Sequence, residues 1–528
     1  MINSNSAPFG MAVTPHHLAS QSALAVLREG GNAIEAMVAA AATIAVVYPH
    51  MNGLGGDGFW LIVPPQGDPV AIDASGAAGS LASLDFYAGQ SHIPHRGPSA
   101  ALTVAGTVGG WQEALTLSAE WGGDQQPLSR LLADAIRYAA DGFPVTASQE
   151  AATRSKRHEL EAMASFAEIF LPNGQVPLSG QRFTQPQLAS TLSQLCEQGL
   201  DSFYRGDLAN SMAADFQKLG MPITRDDLAA YRARRRTPLK LNHSKGEIFN
   251  LTPPTQGLVS LAILGLTDRL NLEAMDEGAT IHSIVEATKL AFGLRDRFIT
   301  DPRVMTQDPQ ALLDAAYLDA LATRINPHRA ADWGQGKGPG DTVWMGVMDS
   351  SGLAVSFIQS IYHEFGSGVV LPNSGVMWQN RGASFSLDAN HLLALAPGKQ
   401  PFHTLNPAAA RLYDGRTMVY GSMGGDGQPQ TQAAVFIRHV VQGQPLQVAI
   451  SGPRWLLGRT WGQSSDSLKL EARFSHATLA GLRQRGHEVE MLPEFSEAVG
   501  HAGAIVRHTN GMFEGASDPR SNGSAAGF

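Results

Sequence analysis

An α+β fold is predicted by three features of the 528-residue sequence. Helical periodicity runs through the first two thirds, strand alternation begins at Thr342, and a glycine-rich connector separates the two patterns. A chain of this length can bury a large core, in one big domain or two intimate ones. Its 43% hydrophobic content, 56 glycines and 30 prolines describe a globular protein with many tight turns, outside the disordered, collagenous and coiled-coil classes.

Taken in order, Thr14 and Pro15 open a helix whose Ala19, Ala23, Val26 and Leu27 recur at helical spacing, and Gly30 with Gly31 stops it. The next helix starts at Asn32 and ends at Pro49. It is apolar nearly all round and so belongs inside the core, and its apolar run from Ala36 to Tyr48 falls well short of the roughly 20 residues needed to cross a bilayer. A loop, Gly53 to Gly58 (GLGGDG), and strand-like Phe59 to Val63 come next. The loop fits the G-x-G-x-x-G pattern, but a dinucleotide site needs strand, loop, helix in that order, and here the order is helix, loop, strand.

Residues from about 125 to 325 read mostly helical. Ile281, Ile284, Val285, Thr288, Ala291 and Phe292 line one face of a helix that ends before Asp301 and Pro302, and core packing accounts for them. The composition then breaks: Asn326 to Asp341 (NPHRAADWGQGKGPGD) alternates glycines from Gly334 to Gly340 and reads as an exposed, flexible connector. Thr342 to Met348 and Ala354 to Ile361, joined by the turn Asp349 to Leu353, form a hairpin. A symmetric register sets Met348 opposite Ala354 and Thr342 opposite Ser360, close enough for the two hydroxyls to hydrogen-bond. Further strands are expected at Gly368 to Leu371, Val376 to Gln379 and Met418 to Gly421, making the final third β-rich.

Composition narrows the function. With 38 basic against 47 acidic residues and a net charge of -9, electrostatic attraction to nucleic acid or an anionic membrane is not expected. The single cysteine, Cys196, excludes an intramolecular disulfide and a cysteine-based zinc site. The first ten residues lack the basic and apolar regions of a secretory signal, so a cytoplasmic protein is expected. There is no G-x-S-x-G elbow and no H-E-x-x-H, and His16 and His17 read as capping, solvent-facing or satisfied core residues. No metal and no cofactor are expected. Gly424 and Gly425, in GSMGGDGQPQ, can aim adjacent backbone N–H groups at one point, as an oxyanion requires, although most such pairs only make turns.

In their order and spacing the segments MAVTPHHLASQSALAVLREGGNAIEA, GLGGDGFWLIV, ALTVAGTVGGWQEAL, PITRDDLAAYRA, FGSGVVLPNSGVMWQNR, PFHTLNPA and GSMGGDGQPQ resemble the gamma-glutamyltranspeptidase family, over about residues 8 to 457. The resemblance implies an N-terminal nucleophile hydrolase with a four-layer αββα sandwich, made as a proenzyme that cuts itself before a threonine. The cut is expected between Asp341 and Thr342, giving a large fragment, 1–341, and a small fragment, 342–528, that stay folded together as a heterodimer, with further dimerisation left open. Freed Thr342 would supply nucleophile and base together, since an α-amino group titrates near pH 8 and can take the hydroxyl proton. Ser360 matches the family's second hydroxyl, and Gly424 and Gly425 its oxyanion pair.

The sequence also departs from the family. A gamma-glutamyl enzyme holds an α-carboxylate and an α-amino group with an early arginine and a later acid; here Ser75 and Ser384 occupy those positions, and Tyr362 replaces the usual asparagine. Arg381 is the cation gained, beside Ser384 and near His403 and Thr404 of HTLNP, which lie at the family's acyl-binding position. One guanidinium, no carboxylate for an ammonium and a bulky tyrosine suit a short amide acid better than glutathione. The combination resembles family members that hydrolyse oxamate to oxalate and ammonia late in purine breakdown. The alternatives are a gamma-glutamyl hydrolase or transferase with a rebuilt clamp and an unprocessed, non-catalytic binding homologue.

Overall fold

The computed structural model describes residues 3–122, 125–333, 341–458 and 465–528. Its strands are β1 (Asn5–Ala7), β2 (Met11–Thr14), β3 (Asp57–Val63), β4 (Val70–Ala74), β5 (Arg234–Arg236), β6 (Leu239–His243), β7 (Gly246–Asn250), β8 (Asp341–Met348), β9 (Ala354–Tyr362), β10 (Ala408–Leu412), β11 (Thr417–Ser422), β12 (Ala502–Arg507), β13 (Phe513–Ser517) and β14 (Ser524–Gly527). They build two antiparallel sheets, ordered β14-β2-β8-β9-β3-β4-β5 and β1-β13-β12-β11-β10-β7-β6. The helices that matter most are α1 (His17–Arg28), α2 (Ala33–Val47), α3 (Thr107–Glu120), α4 (Gly257–Thr267), α5 (Glu277–Phe298) and α6 (Gly427–Phe436). A small three-stranded sheet, 455–457, 468–471 and 489–492, lies outside the sandwich.

Strand alternation explains the layering. In β8, Val343, Met345 and Val347 point to one side, where they join Trp60, Ile62 and Phe357 in a core shared with α1, α2 and α3. Trp344 and Met348 point to the other side and meet Phe59, Leu61 and Ile358 of their own sheet and Phe249, Ala409, Val419 and Ile505 of the second. The outer face of the second sheet, with Ile248, Ala410, Met418, Tyr420 and Val506, packs under α4, α5 and α6. The layers are therefore α, β, β, α. The two sheets approach closely at Trp344, because a Cβ on Gly421 would lie 2.1 Å from the indole.

The expected helices form. Asn32 caps α2 with a reciprocal Glu35 capping box, and all fifteen residues of α2 are buried, as its all-round apolarity requires. The long helix α5 ends at Phe298, before Asp301 and Pro302. Of the connector expected over 326–341, residues 326–333 are irregular and mostly exposed, and residues 334–340 lie outside the described residues.

Three expectations need correction. The first two thirds are less helical than expected: besides β3, expected at Phe59 to Val63, β2, β4 and β5 belong to the first sheet, and β1, β6 and β7 to the second. Met11 to Thr14 are buried on both faces, so β2 carries no alternation to read. The segments 368–371 and 376–379 form no strands but a single antiparallel bridge, Val370–Met377, flanked by the Trp378 amide to the Val369 carbonyl at 2.9 Å and the Leu371 amide to the Val376 carbonyl at 3.0 Å; Gly366, Gly368 and Gly375 have positive φ and break the extended backbone. Finally, the hairpin register holds from Met348–Ala354 to Val343–Gln359, then slips, so that Asp341 pairs with Tyr362. Thr342 lies in this irregularity rather than squarely opposite Ser360.

Candidate active site

Alternation puts Thr342 on the face of β8 that carries Trp344 and Met348, between the sheets, and Ser360 on the matching face of β9 with Ile358. On the next strand Asp57 shares that face with Phe59 and Leu61, and Ser360 pairs with Asp57 across β9 and β3. All three are buried at one end of the sandwich. The Ser360 Oγ accepts the Tyr362 amide at 2.8 Å. Tyr362 itself has a φ of +81°, a conformation that costs a side-chain-bearing residue about 1 to 3 kcal/mol and is held here by its surroundings.

The glycine pair comes directly after β11. Gly424 and Gly425 have φ of +117° and +53°, open to glycine and strained for other residues, and they turn the chain into α6. Buried Arg295 of α5 binds Asp426 at 2.8 Å, fixing the loop from the helical layer. Gln428, one position into α6, directs its Nε2 to the Thr342 Oγ1 at 3.5 Å, and the Asn406 amide donates to the Gln428 Oε1 at 3.1 Å. The Gln256 Nε2 donates to the Thr404 carbonyl at 3.0 Å and to the Gly425 carbonyl at 2.8 Å, tying the HTLNP segment to the glycine loop.

Arg381 lies in a short 3-10 turn, Arg381–Ser384, and is 1% exposed. Its guanidinium carbon sits 3.6 Å from the Tyr362 ring centre, a cation–π contact worth about 2 kcal/mol when desolvated. It donates at 3.3 Å to the Phe402 carbonyl and at 3.4 Å to the Thr404 Oγ1, both long contacts. Burial lowers its pKa to about 10, with Tyr362 and Asp57 acting in the opposite direction. The Ser384 hydroxyl is directed to the carbonyls of Arg381 and Phe402 at 3.0 and 3.2 Å, which makes it a brace for the turn. His403 is fully buried, and burial first, then Arg381, holds its pKa well below the usual imidazole range.

Where the family has its arginine, the Ser75 hydroxyl donates to Asp73 at 2.6 Å and the Gln400 amide reaches both Asp73 and Ser75 at 3.1 Å. The position is closed by a neutral amide and a hydroxyl. A nucleophilic hydroxyl, a turn with two glycine N–H groups and a buried guanidinium together can carry out acyl transfer on a small anionic substrate. A model of the gamma-glutamyltranspeptidase family matches residues 19–528. The chain belongs to the gamma-glutamyltranspeptidase family.

Among relatives in this family, the oxamate amidohydrolase proenzyme of Klebsiella pneumoniae is 70% identical over the full length of both chains. A glutathione hydrolase-like proenzyme of Bacillus subtilis is 39% identical, with 98% of each chain covered. Among solved structures, cephalosporin acylase from Bacillus halodurans superposes with a TM-score of 0.90 at 33% identity, covering 100% of this chain and 97% of that one. Gamma-glutamyltranspeptidase from Helicobacter pylori gives a TM-score of 0.55 at 29% identity, with 60% and 91% covered. The αββα sandwich is that of these N-terminal nucleophile hydrolases.

Every site residue named from sequence lies in or beside this end of the sandwich, except that nothing is described of the Asp341 side chain. Sequence reading missed Asp57, Gln256, Arg295, Asn406 and Gln428. Asp57 stood in a loop set aside as a dinucleotide false match, Asn406 and Gln428 stood inside the quoted PFHTLNPA and GSMGGDGQPQ segments without being singled out, and Gln256 and Arg295 were not singled out either. No helix among the described residues is long and apolar enough to cross a membrane.

Proposed function

We propose that this chain is a self-processing amidohydrolase that converts oxamate to oxalate and ammonia, a step suited to purine degradation. The observation that carries the substrate is a buried guanidinium: Arg381 is 1% exposed, with long contacts to the Phe402 carbonyl and the Thr404 hydroxyl, while Ser75, where the resemblance implies an arginine, is hydrogen-bonded to Asp73 and Gln400. The 70% identity to an oxamate amidohydrolase proenzyme supports it.

In this reading the Thr342 hydroxyl attacks the Asp341 carbonyl, the acyl group moves from nitrogen to oxygen, which frees the α-amine, and water hydrolyses the ester, releasing the Asp341 carboxylate and restoring the hydroxyl. The amine then takes the hydroxyl proton as Thr342 attacks the oxamate amide carbon. Gly424 and Gly425 receive the oxyanion, and the ammonium returns its proton to the leaving nitrogen, which departs as ammonia. Water cleaves the remaining ester to oxalate. Arg381 grips the carboxylate, Tyr362 supports the guanidinium from its face, Thr404 and His403 line the acyl site, and Ser360 orients the nucleophile. The two fragments stay together as a heterodimer, and cytoplasmic placement belongs to the same proposal.

Ammonia release from oxamate by the matured protein, with no chromophore released from a gamma-glutamyl anilide, tests the substrate. The reverse pattern would favour a gamma-glutamyl enzyme, and an intact chain inert to both would favour the binding homologue.

A further inference from the structure

Asp57 is a buried acid with no part in the proposed reaction steps. It is 1% exposed, on the inter-sheet face beside Ser360. Its Oδ1 accepts the amides of Gly76 and Gly106, both at 3.1 Å. Among the described residues its Oδ2 has no hydrogen-bond partner and lies 3.3 Å from the Nε2 of His403, an imidazole that likewise lacks one at either nitrogen. Two adjacent unsatisfied buried atoms, one on an acid and one on a base, are costly unless a proton lies between them.

Resting on the oxamate reading, we propose that Asp57 is kept as a neutral acid, its proton on Oδ2 toward His403, so that Arg381 stays uncompensated and the site demands a substrate carboxylate. Asp57 thereby acts through Arg381, as a positioning residue for carboxylate recognition. Were Asp57 ionised, it would neutralise the guanidinium from inside the protein and compete with the incoming anion.

The surroundings favour the neutral form. Burial raises the Asp57 pKa to about 8, and Asp73 adds to the rise, whereas Gln379, the Gly76 amide and Arg381 oppose it. Tyr204 and Tyr231, whose pKa values burial raises, also feel its charge; His403, 3.3 Å away, is kept neutral by burial, and maturation adds the Thr342 α-amine. Below about pH 8 the acid therefore holds its proton and carboxylate affinity is full; above it the acid ionises and affinity falls, by up to tenfold per pH unit.

The test is calorimetric titration of matured protein with oxalate from pH 6 to 10, in wild type and Asp57→Asn. Asparagine keeps the shape without the titration. Wild-type affinity should fall at least tenfold further than the variant's above pH 8, the decline that the two share belonging to the Thr342 α-amine and Arg381. Infrared difference spectra should show a protonated carboxyl band in wild type at pH 7 that is lost in the variant. Parallel pH profiles, absence of the band, or no oxalate binding at pH 7 would overturn the proposal. If Asp57→Asn fails to fold, loss of the band in wild type between pH 7 and 10 decides it. Failure of the substrate reading is separate: it would appear as no turnover of oxamate, with oxalate binding and the infrared band still measurable.

Discussion

At the residue scale the site combines one nucleophile with one cation, and each can be tested alone. Thr342→Ala should remain a single uncut chain without activity, because no other residue supplies both hydroxyl and α-amine; a denaturing gel and N-terminal sequencing check it, and cleavage before another residue would contradict it. Ser360→Ala removes one hydrogen-bonding hydroxyl beside the reacting centre. It should slow maturation and turnover by about 10- to 1000-fold while the fold persists, measured as the rate of band conversion and as kcat. Arg381→Ala should mature normally yet lose about 100-fold or more in kcat/KM on oxamate, whereas Arg381→Lys, keeping charge without the fork, should retain part of it. Normal turnover by Arg381→Ala would move the carboxylate to another anchor. Thr342, Ser360 and Arg381 could be picked from the sequence only because a family pattern marked them; spacing alone made Thr342 an ordinary strand start.

At the element scale, legibility tracked burial. Helices α1, α2 and α5 were readable because caps and periodicity agreed, and the hairpin was readable because β8 and β9 alternate around a short turn. The register slip at Thr342 was not, since it arises where the edge of the strand meets the chain coming from the connector, and β2, buried on both faces, gave no pattern. The glycine loop depends on another element entirely, through the buried Arg295–Asp426 pair between α5 and the start of α6. Removing the guanidinium deletes the buried ion pair to Asp426, so Arg295→Ala should destabilise the protein by about 3 to 5 kcal/mol and impair maturation with it. Thermal unfolding and the gel assay read both effects; a variant as stable and as quickly cut as wild type would show the loop to be held by Gln256 and its other contacts.

At the scale of the whole molecule, the two sheets interleave strands from the two sides of the expected cut. In the first sheet β8, whose second residue is Thr342, lies between β2 and β9; β9 pairs with β3, and β14 with β2. In the second, β10 pairs with β7 and β13 with β1. Strands from either side of the Asp341–Thr342 bond are thus zipped together in both sheets, over an inter-sheet core that draws Phe59 and Phe249 from one side and Trp344 and Val419 from the other. Cutting one peptide bond removes none of these ladders and none of this burial, and separation would expose both sheets' inner edges at once. The processed fragments should therefore elute as one particle by size-exclusion chromatography without denaturant and unfold in a single transition, parting only as the fold is lost. Dissociation in native buffer, or a fragment that melts separately, would mean that the uncut bond itself holds the halves together.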